Sequence, residues 1–234
     1  MENVHSIFVN IQKIYNQTLR VSINAAVNNG CLEKVNNPLN YNYLLVDGTL
    51  LYQLLDLYES LSLSNSIVKN KHFEWFKEII FYAGKGINNR KMTHLTNGKK
   101  ICLKKLPLDK VCAKFSKVAQ IWEKGHGIAV LQLFPESSHY ETMSREFAII
   151  KAIGLNNLTN VINSAPFGAM KCDWNPNEII NYGNMILYNT LCMAISERPI
   201  LLYQEDIILA ERNQAEDNYE LRGILECFLE LNCV

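Results

Sequence analysis

No run of about 18 consecutive apolar residues, the length a single membrane-crossing helix requires, occurs in this chain, which argues against a transmembrane helix. The first residues, MENVHSIFVNIQK, lack the basic segment followed by an apolar core that marks a secretory signal. The seven cysteines are odd in number, scattered and without a CxxC pair, so neither a disulfide framework nor a zinc ribbon is legible in their spacing. Reduced thiols in a cytoplasmic or nuclear protein are the expectation. The five histidines, at positions 5, 72, 94, 126 and 139, are equally dispersed and define no local metal site. GxxxxGK[ST] and GxGxxG are both absent, which removes the P-loop and the dinucleotide fingerprint.

Net charge is absent too, with 23 Lys and Arg against 23 Asp and Glu. That balance hides a segregation. Residues 85 to 124 hold eleven basic residues against Asp109 and Glu123, an excess of +9. Residues 201 to 234 hold eight acidic residues against Arg212 and Arg222, an excess of −6. A basic middle fits a polyanion partner, or it is the solvated face of lysine-rich helices. At 234 residues, 48% hydrophobic and 20% charged, the chain can bury the core of one large domain or of a domain with extensions.

Apolar periodicity predicts a helix over 6–26, followed by an Asn-, Gly- and Pro-rich loop over 28–38. YNYLLVDG (41–48) reads as a buried strand and 49–61 as a helix, with SLSNSIVKN as a loop. EIIFYAG (78–84) is a second strand, and Asn88 or Asn89 can cap a helix to about 97. A basic helix over 108–124 precedes a third strand, GIAVLQLF (127–134). Ser138 or His139 opens a helix to Ile153 that Gly154 stops. Helices over 176–196 and 210–231 complete the reading, an α+β fold with a small sheet in helical company.

Gly84 and Gly86, with Lys85 between them, read as a tight turn whose N–H groups meet an anion, or as a plain strand-to-helix connector. Arg90 and His94 lie four residues apart on one helical face. There a guanidinium can fork onto phosphate oxygens and an imidazole can pass a proton, or both are surface residues. Glu146 falls inside the apolar arc of Met143, Phe147, Ile149, Ile150 and Ile153, away from the face of Arg145 and Lys151. A carboxylate so placed is a ligand for a hard divalent ion, or a helix-edge group turned to solvent. Tyr43 and Tyr82 sit on neighbouring strands if those strands pair. They are core aromatics, or phenols whose pKa drops beside a metal and cations far enough to help remove a proton from water. Asn160 can hold a phosphate or brace a metal shell.

In sequence order, Tyr43 in a YLL strand, Tyr82-Ala83-Gly84, Lys85-Gly86, Arg90, His94, Arg145-Glu146 and Asn160 together resemble the GIY-YIG nuclease domain. The wording "YNYLLVD", "IFYAGKGINNRKMTHL", "IWEKGHGIAVLQL", "SREFAIIKAIGLNNLTN" and "PFG" resembles most the ankyrin-repeat and LEM-domain endonuclease branch of animals, over residues 40 to 174. The resemblance implies a small three-stranded mixed sheet flanked by helices, and hydrolysis of DNA phosphodiesters at branched, junction or flap structures. It implies one divalent ion per site, Mg²⁺ or Mn²⁺, and no small-molecule cofactor. Carried over by position, Glu146 is the metal ligand, Arg90 stabilises the phosphate and Tyr43 is the leading group for activating water. Tyr82, His94 and Asn160 complete the catalytic set, while Gly84, Lys85, Gly86, Lys91 and Arg145 bind substrate.

This chain departs from the family pattern in reading YLL for GIY and YAG for YIG, and 38 residues separate Tyr43 from Tyr82. A helical insertion that shapes the substrate site is expected between them. No ankyrin repeat or LEM domain is found in the sequence, as in a short member or an excised fragment. The expected organisation is an N-terminal helical extension (1–39), the nuclease domain (40–174) and an acidic helical extension packed on it (175–234). The last covers the basic face, or offers a homodimer or protein-partner surface. The rival classes are a non-catalytic nucleic-acid-binding module of the same fold and a protein-interaction domain using the acidic helices.

Overall fold

A computed structural model describes residues 2–35, 40–60, 66–105 and 111–207. In chain order the elements are α1 (Glu2–Asn28), β1 (Asn40–Asp47), α2 (Gly48–Ser60), α3 (Ser66–Ile79), β2 (Ile80–Ile87), α4 (Arg90–Cys102) and α5 (Ala113–Glu123). They continue with β3 (Ile128–Ser137), α6 (His139–Ile153), a single 3-10 turn (Leu155–Asn157), α7 (Ala169–Cys172), α8 (Pro176–Ser196) and β4 (Leu201–Leu202). The fold is α+β. The acidic helix expected over 210–231 lies outside the described residues.

The sheet order is β2-β1-β3-β4. Three expected strands form its body, but every pairing is antiparallel, not mixed, and the two-residue β4 adds a fourth strand. The reason lies in the connections. Between β1 and β2 the chain runs through the helix pair α2 and α3, and between β2 and β3 through α4 and α5. Through α2 and α3 the chain returns beside β1 in the reverse direction, as in a hairpin, whereas through α4 and α5 it crosses to the far side of β1, so β1 is central and antiparallel to both neighbours. The expected insertion between Tyr43 and Tyr82 is therefore helical, although α3 covers residues read from sequence as a loop. His72, Phe76 and Ile79 give α3 its buried stripe, and its polar Asn and Ser residues obscured that period.

β1 is buried along its whole length and separates two cores. On one face, Leu44 and Val46 with Ala83, Ala129 and Leu131 pack under α2, α3, α6 and α8, joined by Leu19 and Ile23 of α1. On the other, Tyr41, Tyr43 and Leu45 pack under Leu95 of α4 and Val118, Ile121 and Trp122 of α5. The α6–α8 crossing is close because Gly183 has no side chain: a Cβ there would lie 2.2 Å from the Ala148 carbonyl oxygen. Near its end β3 bends through Phe134 and Glu136, both at positive φ, and delivers the chain to α6.

Candidate active site

The register of β1 and β2 sets Tyr43 opposite Gly84 and Tyr41 opposite Gly86, with Tyr82 opposite Leu45. Opposed residues share a face, so Tyr41, Tyr43 and Tyr82 all point toward α4 and α5. Gly84 and Gly86 therefore belong to a strand, and the tight anion-binding turn expected of them is not formed. Their smallness serves the rings instead. A Cβ at Gly84 would lie 2.6 Å from Tyr82 Cε1 and 2.9 Å from Tyr43 Cζ, and one at Gly86 would lie 3.0 Å from Arg90 Cβ.

α4 starts at Arg90 just after β2, which brings His94 over the tyrosines one turn later. Tyr43 Oη lies 2.5 Å from His94 Nε2, and the two rings stack at 5.8 Å between centroids. The Tyr82 ring meets His94 edge-on at 5.1 Å. Burial pushes the Tyr43 phenol up, helped by Tyr82 and Tyr41, and Arg90 opposes this only in part. The drop in pKa expected for a tyrosine among cations does not occur in the protein alone. Burial likewise pushes His94 down to about 3, with Lys114 and Arg90 acting the same way. Both groups are neutral at neutral pH. A single hydrogen bond joins the phenol oxygen to Nε2, and the buried Nδ1 of the same ring has no hydrogen-bond partner.

Glu146 comes from α6, whose orientation is fixed at its start. Ser138 and Glu141 form a capping box, and the Asn42 side chain of β1 donates to the Thr142 carbonyl at 2.8 Å. Arg145, expected at the substrate, is instead among the most buried side chains of the protein, at 1% exposure. It donates to Ser137 Oγ at 2.7 Å and to Glu141 at 3.0 Å, and its guanidinium lies 4.3 Å from the Phe134 ring centroid. The neighbouring carboxylate four residues back is what makes burial of this cation tolerable.

The half-buried Glu146 faces the cations of the tyrosine layer. Desolvation raises its pKa, while the Ser164 hydroxyl, Lys85, Arg90 and Lys114 draw it back. Glu146 in turn raises the Tyr82 phenol, after burial itself. Lys85 is half-buried on the opposite side of β2 from Gly84; burial lowers its pKa and Glu146 opposes that. Lys91 donates to Gln132 Oε1 and lies 5.4 Å from the Tyr41 ring centroid. Arg90 is exposed and forms no ion pair among the described residues.

Asn160 is half-buried and its side chain is engaged by the backbone of β2. Its amide accepts from the Ala83 N–H at 3.2 Å and donates to the Ala83 carbonyl at 2.7 Å, while the Thr159 N–H donates to Phe81 O at 2.7 Å. The segment acts as a short partner for the open edge of β2, holding the strand that carries Tyr82 and Gly84. Lys114, at the start of α5, was not singled out from the sequence. Its Nζ lies 4.8 Å from the Tyr82 ring centroid. The Lys114-Phe115 pair opening a basic helix was the available signal.

No group of three or more His, Cys, Asp or Glu side chains gathers among the described residues, so a metal here would take one protein carboxylate, Glu146. A desolvated carboxylate outside any ion pair fits a hard divalent ion that keeps most of its water ligands. The described cysteines are free, and no described helix is long and apolar enough to cross a membrane.

A family model described as the LEM-3-like GIY-YIG domain matches residues 40–209, a range that takes in α8 and β4. Ankyrin repeat and LEM domain-containing protein 1 of Mus musculus is 29% identical over 168 residues, covering 72% of this chain and 30% of that protein. The Homo sapiens protein of that name is 29% identical over 168 residues, covering 70% of this chain and 27% of its own length. The Caenorhabditis elegans homologue is 30% identical over 174 residues, covering 73% of this chain and 23% of its own length. The chain thus spans less than a third of each of these relatives. No solved structure matches it. With tyrosines, arginine, histidine and glutamate converging on one sheet and the family match running over most of its length, the chain belongs to the LEM-3-like GIY-YIG nuclease domain family.

Proposed function

We propose that the chain is a divalent-metal-dependent endonuclease that hydrolyses DNA phosphodiester bonds, selecting branched, junction or flap structures. The observation that carries this reading is the buried Tyr43–His94 hydrogen bond at 2.5 Å, set beside Tyr82 and within the electrostatic reach of Arg90 and Glu146. Such an arrangement has the parts that adding water across a P–O bond requires. The attacking water must lose a proton, and negative charge grows on the phosphate oxygens.

For the proton, a neutral phenol hydrogen-bonded to a neutral imidazole can accept from water as it passes its own proton to His94 Nε2. His94 is a weak base in the free protein, and the charge of an incoming phosphate raises its proton affinity. The exposed Arg90 guanidinium takes the phosphate oxygens in a forked contact. Glu146 would hold Mg²⁺ or Mn²⁺, which supplies Lewis acidity and neutralises charge. Asn160 and the two glycines keep β2, and with it Tyr82, in place. The basic residues of α4 and α5, with Lys85 on the other side of β2, draw the polyanion to this edge of the sheet.

The test is cleavage of a labelled four-way junction, a flap and a linear duplex in Mg²⁺ or Mn²⁺, by the wild type and by Glu146→Gln. Metal-dependent cutting that the variant loses supports the reading, and the substrate ranking gives the specificity. DNA binding without cutting by either protein would make this a nucleic-acid-binding module of the same fold.

A further inference from the structure

Lys114 is a cation of the tyrosine cluster to which the function proposed above gives no role of its own. The first turn of α5 carries it inward, with Nζ 4.8 Å from the Tyr82 ring centroid and 5.6 Å from that of Phe115. The Tyr82 ring lies 5.9 Å from Tyr43 and 5.1 Å from His94, so the ammonium belongs to the same cluster as the proton-handling pair. Among the described residues it has no hydrogen bond and no carboxylate within ion-pair distance. Lys91, by contrast, is engaged by Gln132.

A half-buried ammonium without a counterion is costly, and aromatic faces return only part of the lost hydration. Around it, Lys85, Arg90 and Lys114 act on the single carboxylate of Glu146. That surplus of positive charge is of the kind a phosphoryl-transfer transition state draws on, because its negative charge spreads over the phosphate oxygens. Lysine suits the task as a compact charge on a flexible stem, reaching a phosphate without the fixed fork of arginine.

We propose that Lys114 is a second phosphate-binding residue of this site, its ammonium contacting the phosphodiester to be cut beside Arg90 and stabilising the charge that builds as the bond breaks. The proposal rests on the nuclease reading above. Burial lowers the pKa of Lys114, which agrees with an ammonium held partly out of water. Its charge also disfavours a proton on His94 until an anion neutralises it.

Two measurements on the full chain test it. In single-turnover cleavage of a four-way junction at saturating protein, Lys114→Ala slows the reaction on the order of a hundredfold, with affinity in a Glu146→Gln background changed by less than about threefold. Lys114→Arg recovers most of the rate. A loss confined to affinity and salt slope, or an equal loss in the Ala and Arg variants, overturns the proposal: the first makes Lys114 a surface contact, the second a packing residue on Tyr82. Separately, acetic anhydride labelling of the Glu146→Gln protein, read by mass spectrometry, should find Lys114 protected when junction DNA is bound. Unchanged labelling overturns the proposal whether or not the wild type cuts. If the wild type cuts no DNA and Lys114 is nevertheless protected, the nuclease reading fails and phosphate binding at Lys114 stands.

Discussion

Tyr43 and His94 are each held in the neutral form by burial, which ties the site to pH in a definite direction. The unfolded chain takes up a proton at His94 near the usual histidine value of about 6.5, whereas the folded protein resists it down to about 3. Above that upper value His94 contributes no pH dependence, and as pH falls through the window the folded state loses stability. His139, also depressed by burial and by Lys85, adds in the same sense. His94→Gln should therefore flatten the decline in melting temperature between pH 7 and pH 5, a range chosen above the usual carboxylate region; an unchanged slope would contradict a neutral buried His94. In the reaction, Tyr43→Phe removes the hydroxyl hydrogen-bonded to Nε2 and should slow turnover strongly. Near-normal turnover would move the role to Tyr82 or to solvent hydroxide. Arg90→Ala should reduce the cleavage rate far more than DNA affinity, because an exposed guanidinium outside any ion pair is available where charge develops. Equal losses in rate and affinity would make it an ordinary phosphate contact.

The element that organises the site is β2. It is an edge strand whose inward face is two glycines wide where the rings of β1 lie, and whose open edge is held by Asn160 and Thr159. Gly84→Ala would place a methyl 2.6 Å from Tyr82 Cε1 and 2.9 Å from Cζ of the fully buried Tyr43. Overpacking of this kind costs about 1–3 kcal/mol, and the displaced phenols should lose their alignment with His94. A lowered melting temperature together with a larger loss of turnover than of DNA affinity is the expected pair of results. A fully active Gly84→Ala protein would show that the tyrosine spacing is not critical. The glycines were visible in the sequence; their reason was not. A glycine pair ahead of a helix has the same local pattern whether it turns the chain or makes room for rings, and only the pairing of Gly84 with Tyr43 separates the two.

Across the whole molecule, the nuclease-type sheet is closed on its second face by helices distant in sequence. α1 contributes Leu19 and Ile23 to the core, Arg20 pairs with Glu141 at 3.0 Å, and Ser22 Oγ accepts from the Ala169 N–H at 2.8 Å. Leu19→Ala should cost about 2–5 kcal/mol, the range for a fully buried leucine whose cavity collapses only in part, measured by chemical denaturation. A change within about 0.5 kcal/mol, as at surface positions, would mean that α1 is not part of the cooperative core. On the other face, α4 and α5 bring Arg90, Lys91 and Lys114 to the tyrosine layer.

The sequence by itself determined the strands, most of the helices and the identity of Tyr43, Tyr82, Arg90, His94 and Glu146, because each is announced by local pattern: apolar runs, helical spacing, order along the chain. Tertiary structure alone decided what those residues meet. Arg145 and Glu146 are adjacent in the chain, yet packing against Phe134, Ser137 and Glu141 buries the first and leaves the second at the cation cluster. Asn160 and Lys114 likewise receive their partners, the Ala83 backbone and the Tyr82 ring, from elements 77 and 32 positions away. Contacts over such separations depend on register and on the layering of helices over the sheet, which no window of neighbouring residues encodes.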